Sequence, residues 1–258
     1  MWKTIRRPFF LGGTLWWLGS AAYAFAKCAV QDSEVEWPAQ LALARAFDIA
    51  LAWSDSPASA FLLGIWISLM IWEDMRLGMD REHRVRGLTF LNVLWDRAAR
   101  LAIGWGVGLV IMTLVVLTAV PTGGGHDVGS PHLAATAYLF AAALVRLTFV
   151  AATAAAVTAV SHALLGGAAY SLGICGWMEI AGRSKPRGLS AFGPWRILDA
   201  HVLRSIPNLR IQAPWLSDAV AATPGALVVS LLLPGIVIAL LLWAAARKYG
   251  TRVVPAHF

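Results

Sequence analysis

The residues best able to do chemistry crowd into one short stretch. Between positions 73 and 100 stand Glu73, Asp74, Arg76, Asp80, Arg81, Glu82, Arg84, Arg86, Asp96, Arg97 and Arg100, acids and bases interleaved. A catalytic centre needs a nucleophile beside a base, a set of metal ligands or a loop that cradles phosphate, and this stretch holds none of them. Mixed charge of this density suits either a solvated loop or a surface on which another protein docks. Docking is the expectation, carried by Glu73, Asp74, Arg76, Asp80, Glu82, Arg84, Arg86, Asp96 and Arg97.

The rest of the chain offers little else that reacts. There is no H-E-x-x-H, no G-x-S-x-G and no G-x-x-x-x-G-K-[ST]. His126, His132 and His201 follow no zinc or copper spacing, and Cys28 and Cys175 form no C-x-x-C. No catalytic residue and no metal site are therefore expected. Three further groups, Arg146, His162 and Glu179, are isolated in apolar sequence and are the candidates for polar residues of a pathway. Each has a plainer role open to it. Arg146 can snorkel or pair with Glu179, Glu179 lies near the end of an apolar segment, and His162 suits a turn.

The surroundings of these residues fix the class of protein. Positions 133 to 180 contain only Arg146, His162 and Glu179 as groups charged or titratable near neutral pH. With 59% hydrophobic and 14% charged residues, the chain cannot cover a water-soluble particle of its size with polar surface. An all-α, polytopic integral membrane protein is expected. The net charge of +7 sits mostly beside apolar segments, where anionic lipid headgroups are nearer partners than nucleic acid.

A membrane span needs about 20 apolar residues, and six such segments can be drawn: about 9–27, 57–73, 100–120, 133–157, 162–181 and 225–246. One straight helix over 133–180 would be about 72 Å long, more than twice the hydrocarbon thickness, so the chain must fold back. Ser161-His162 and Gly166-Gly167 mark the expected hinge. Gly104, Gly106 and Gly108 in the third span predict close helix approach. Ahead of the first span, Lys3, Arg6 and Arg7 with Trp2, Phe9 and Phe10 form a stretch suited to the headgroup layer. A basic start and Ala24-Phe25-Ala26 also mimic a signal peptide, but Lys27 before Cys28 spoils a lipoprotein-type site and a retained span is expected. Trp16, Trp17, Trp53, Trp72, Trp177, Trp195 and Trp243 fall near span ends, as in an aromatic belt.

Lys and Arg number three before span one, six in 73–100 and three after span six, against one in 31–57 and none in 121–132. Both termini are therefore expected in the cytoplasm, with the protein in the cell (inner) membrane. Residues 181–224 carry six basic residues yet fall outside in this scheme, and Trp195, Leu198, Val202 and Ile206 predict a short amphipathic helix there.

This arrangement resembles the permease subunits of type-2 ATP-binding-cassette exporters. Two local patterns carry the resemblance. Trp72-Glu73-Asp74, a Gly78 to Gly87 turn and Leu88 to Arg100 read like the acidic end of span two, the turn and the coupling helix before span three. Pro194-Trp195-Arg196-Ile197-Leu198-Asp199 to Arg204 is similar to the segment before the last span of such permeases. The resemblance implies a single transmembrane domain over residues 1–258 that is not itself an enzyme. It also implies a separate nucleotide-binding subunit carrying ATP and Mg, no cofactor on this chain, and pairing with a second permease copy or a related permease. The competing functions are a non-catalytic membrane scaffold or immunity-type protein, and a membrane-embedded enzyme assembled from groups such as Glu73, Asp74 and His162.

Overall fold

A computed structural model of the chain describes residues 2–31, 47, 50, 56–119, 133–183 and 224–249. Among these residues all regular structure is helical: α1 (Trp2–Gln31), α2 (Pro57–Arg76), α3 (Met79–Val85), α4 (Phe90–Ala119), α5 (Leu133–Ser161), α6 (Leu164–Arg183) and α7 (Pro224–Lys248). Three segments, Ala58–Arg76, Phe90–Val115 and Ala143–Ser161, are long and apolar enough to cross a bilayer. On α4 the side chains of Ile103, Val107, Val110, Ile111 and Leu114 are exposed, a surface whose fitting solvent is hydrocarbon. The protein is all-helical in these regions and consistent with residence in a membrane. The short helix read around Trp195 to Ile206, and nearly all of the acidic 31–57 segment, lie outside the described residues.

Local signals explain where the helices begin. At α2, Ser56 accepts a hydrogen bond from the Ser59 amide (3.2 Å) and Pro57 takes the first helical position, where its missing N–H is no loss. At α4, the Thr89 hydroxyl accepts from the Asn92 amide (3.3 Å). The break between α5 and α6 falls on His162, whose φ of 53° lies in the left-handed region that stops a helix. The break is thus two residues, His162 and Ala163, and Gly166-Gly167, also expected at the hinge, lie within α6.

Two expected divisions of the chain are corrected. The basic N-terminal stretch and the first apolar segment form one unbroken helix, α1, with Pro8 inside it. Residues 88–100 are not a separate coupling helix either: α4 runs without interruption from Phe90 to Ala119. No Gly or Pro stands between Phe90 and Ile103, and Asp96 pairs with Arg100 one turn on (3.0 Å), so nothing ends the helix there. The short helix is instead α3, bounded by Gly78 and Gly87 at φ 69° and 73°, a conformation costly for other residues.

In the bundle, α2 packs against α1, α5 and α6, while α5 also meets α6 and α7, and α1 meets α4. α5 is buried all round from Phe149 to Ala156, because its alanines present almost no bulk to its neighbours. Its hydroxyls cost little to bury, since Thr153 donates to the Phe149 carbonyl (2.7 Å) and Thr158 to that of Ala154 (2.8 Å). α2 and α6 meet through matched small residues. A Cβ on Gly64 would lie 2.8 Å from the Cβ of Ser171, and one on Gly167 would lie 3.0 Å from that of Ser68. Each helix thus offers a small-xxx-small pair to the other.

Elsewhere glycines make room for indoles. Trp66 on α2 is fully buried in a socket formed by Gly12 and Gly13 of α1 and Gly104 of α4, and Trp16 packs over Gly108. Trp16 donates to the Ser59 hydroxyl (3.0 Å) and Trp17 to the Gly104 carbonyl (3.1 Å). Trp16, expected in the interfacial belt, is a core residue, because Gly108 opens a space that an indole fills. Gly104 and Gly108 share a face, whereas Gly106 has no neighbour within 4 Å. Replacing Gly104 by Ala should therefore destabilise the fold by about 1–3 kcal/mol through overpacking against Trp66. Gly106→Ala should be neutral or stabilising by up to about 1 kcal/mol. Thermal unfolding of the two variants in detergent checks the contrast.

Candidate functional site

At one end of the bundle the charged stretch folds into two layers. The last turn of α2 turns Glu73 outward and Asp74 inward. Glu73 grips Arg76 along the helix surface at 2.7 and 2.8 Å, and that Arg lies over the Trp72 ring at 5.6 Å. Asp74 faces Arg97 of α4 instead. Arg97 donates Nε (3.0 Å) and Nη2 (2.9 Å) to Asp74 Oδ2, and Nη2 also reaches Oδ1 (3.1 Å). Its remaining nitrogen, Nη1, goes to Asp96, which also holds Arg100. The side chains of Arg97 and Asp74 are 1% and 2% exposed.

Taking two ions out of water is expensive by several kcal/mol each, and only close, fully hydrogen-bonded geometry recovers it. Here the planar guanidinium fork supplies that geometry. The pair therefore fixes the end of α2 against the start of α4 in one register.

α3 spans the gap between them with two distinct faces. Met79, Asp80 and His83 are buried against the bundle, while Arg81, Glu82, Arg84, Val85 and Arg86 face outward. Glu82 and Arg86 pair along the outer face. Beyond the end of α7, Tyr249 closes the inner side: its hydroxyl lies 3.2 Å from His83 Nδ1, its ring stacks on His83 at 17° and tilts against Phe90 at 5.2 Å. Burial pushes the Tyr249 hydroxyl upward, so it stays protonated and able to donate to His83. Burial likewise lowers His83 from 6.5, against the opposing pull of Asp74.

The nine residues expected at the docking surface thus divide. Glu73, Arg76, Glu82, Arg84 and Arg86 are at the surface or half-buried, and Asp96 is half-buried. Asp74, Asp80 and Arg97 are buried, and their chemistry is internal. His83 and Tyr249 were not among the expected residues. The spacing of Met79, Asp80 and His83 marks one face of a helix, which was legible; Tyr249 meets His83 across 166 residues, which was not.

Of the three candidate pathway residues, Arg146 and His162 lie apart, one within α5 and the other just past its end. Arg146 is buried in α5, about 24 Å of helix from the turn at His162. Position 179 lies in α6, and its side chain falls outside the described residues. Thr158 stands opposite Gly167, and continuing that antiparallel register brings position 179 level with position 146.

Comparison with protein-family models, with characterised proteins and with solved structures returns no match to this chain.

Two outcomes follow for this end of the bundle. Arg97→Leu strands a buried carboxylate and should cost about 3–5 kcal/mol, whereas the double replacement Asp74→Leu/Arg97→Leu should recover most of the loss; chemical or thermal unfolding in detergent measures both. His83 is held neutral in the fold, so the unfolded chain takes up its proton first as pH falls. Stability present above about pH 6.5 should decline as pH drops from 6.5 toward the lowered folded value. His83→Phe should flatten that part of the unfolding-temperature profile.

Proposed function

We propose that this protein is the membrane-spanning permease subunit of an ATP-driven exporter, with ATP and Mg handled by a separate nucleotide-binding subunit that docks on α3. The observation that carries the reading is the two-faced construction of α3. On its inner face His83 meets Tyr249 just beyond α7, close to the Arg97–Asp74 pair that ties α2 to α4, so a push on the outer face is passed toward three long helices. Its outer face mixes Glu82, Arg84 and Arg86 with Val85, which is 84% exposed. An exposed apolar side chain set among charged neighbours is the composition of a docking anchor with a polar rim.

In this reading the long helices α1, α2, α4, α5, α6 and α7 are six spans, both ends of the chain face the cytoplasm, and α3 projects there too. The excess of Lys and Arg around α3 and at both ends supports that orientation. Six spans enclose a two-sided pathway only when paired, so a second copy or a related permease completes the transporter, and the exposed apolar face of α4 is available for it.

Co-purification from native membranes tests the proposal. A nucleotide-binding subunit should accompany the protein, and Val85→Asp with Arg84→Glu should release it or lower its stimulated ATPase rate at least about tenfold, as loss of an interface anchor does. Purification of the wild type with no ATPase attached would sink the reading. So would labelling of a cysteine placed at Arg84 by an impermeant reagent added outside the cell.

A further inference from the structure

A groove of about 720 Å³ runs between α1 and α2, away from the α3 contacts. Its walls are apolar, formed by Leu11 and Leu15 of α1 and Leu69 of α2, and its mouth is polar, formed by Arg7, Trp72 and Glu73. The helices run antiparallel here, with Phe9 against Trp66 at 5.3 Å and Trp16 bonded to Ser59. From Arg7 to Leu15 the groove descends about 12 Å along α1. Within it the one hydroxyl, that of Thr14, is already spent on the Phe10 carbonyl at 2.7 Å. No unmet donor or acceptor of the wall waits inside, so the interior suits hydrocarbon.

The charges at the mouth are unequal in commitment. Glu73 is held bidentately by Arg76, and that ion pair is capped by Trp72. Arg7 is exposed and makes no ion pair among the described residues. Arg7, an exposed guanidinium whose charge also acts on Glu73 across the mouth, stands above an apolar slot, and that combination fits a molecule with an anionic head and a hydrocarbon tail. The slot is of ordinary ligand-pocket size.

We propose that this groove binds one anionic phospholipid of the leaflet on the α3 side, its phosphate on Arg7 and one acyl chain along Leu11, Leu15 and Leu69. Trp72 sits at the height of the headgroup layer, where an indole is favoured. The lipid would fill the seam between α1 and α2 at the end of α2 that carries Asp74. It therefore adjoins the Arg97–Asp74 contact without taking part in it.

Native mass spectrometry of delipidated protein titrated with phosphatidylglycerol tests this. One adduct should saturate before further lipids add. Arg7→Gln, an exposed position where folding is not at risk, should weaken that first adduct roughly tenfold, the loss expected for one charge-assisted hydrogen bond. Leu69→Trp should abolish it by filling the slot, and Leu11→Trp serves the same end if the first variant does not fold. Arg247→Gln, at an interfacial Arg stacked on Trp243, should leave it unchanged. Phosphatidylcholine, which carries no net charge, should bind several-fold more weakly. The proposal is overturned if Arg7→Gln leaves the first adduct intact, if lipids add without a saturating first step, or if filling the slot dissociates a dimer while lipid binding persists.

Discussion

One constraint organises this molecule: Arg97 and Asp74 meet as a fully hydrogen-bonded ion pair with almost no access to solvent. An ion pair in that setting tolerates little rearrangement, because separating the partners leaves a bare charge in a medium that cannot solvate it. The register of α2 against α4 is therefore discrete. The chain between the two residues must leave α2, turn and return within a short distance. It does so through Gly78, the seven residues of α3 and Gly87, with each glycine in the left-handed conformation that the reversals require. Asp96 completes the arrangement by holding the outer nitrogen of Arg97 together with Arg100.

Further into the bundle the forces change character. In a bilayer, with which these helices are consistent, the usual drive to bury apolar surface is absent, and helix association rests on close packing and on internal satisfaction of polar groups. Alanine, glycine and hydroxyl residues accordingly line the middle of α5 and the contact between α2 and α6, while Trp16, Trp66, Ile67, Met70, Phe90 and Met112 supply bulk elsewhere in the interior. Each indole occupies space that glycines on neighbouring helices vacate. Thr153, Thr158 and Ser171 each donate to a carbonyl four residues back in their own helix, so these buried hydroxyls carry their own acceptors into the interface.

Much of the helix plan could be read along the chain. The long helices fall on the segments that apolar content marks, and the reversal between α5 and α6 falls on the expected Ser161-His162 site. Errors arose where local sequence leaves the outcome open. The Gly104, Gly106 and Gly108 series reads as three equal contacts, yet only the i, i+4 pair faces another helix. Trp16 reads as interfacial from its position near a segment end, and it is core because Gly108 on α4 makes space for it. Within the charged stretch, adjacent residues have opposite fates: Glu73 is turned to the surface and Asp74 to the interior, a difference of one step around a helix.

The sequence by itself determined that helices form, roughly where they start and stop, and that several are apolar enough to suit a membrane, because apolar run length, Pro, Gly and capping residues act within a few positions. It also placed the ionic residues together. Which of them are surface and which are core, that Tyr249 closes on His83, and that Trp66 sits between α1 and α4 were decided only by tertiary structure. Those outcomes depend on the rotation of one helix against another, and rotation is set by contacts between residues far apart in the chain.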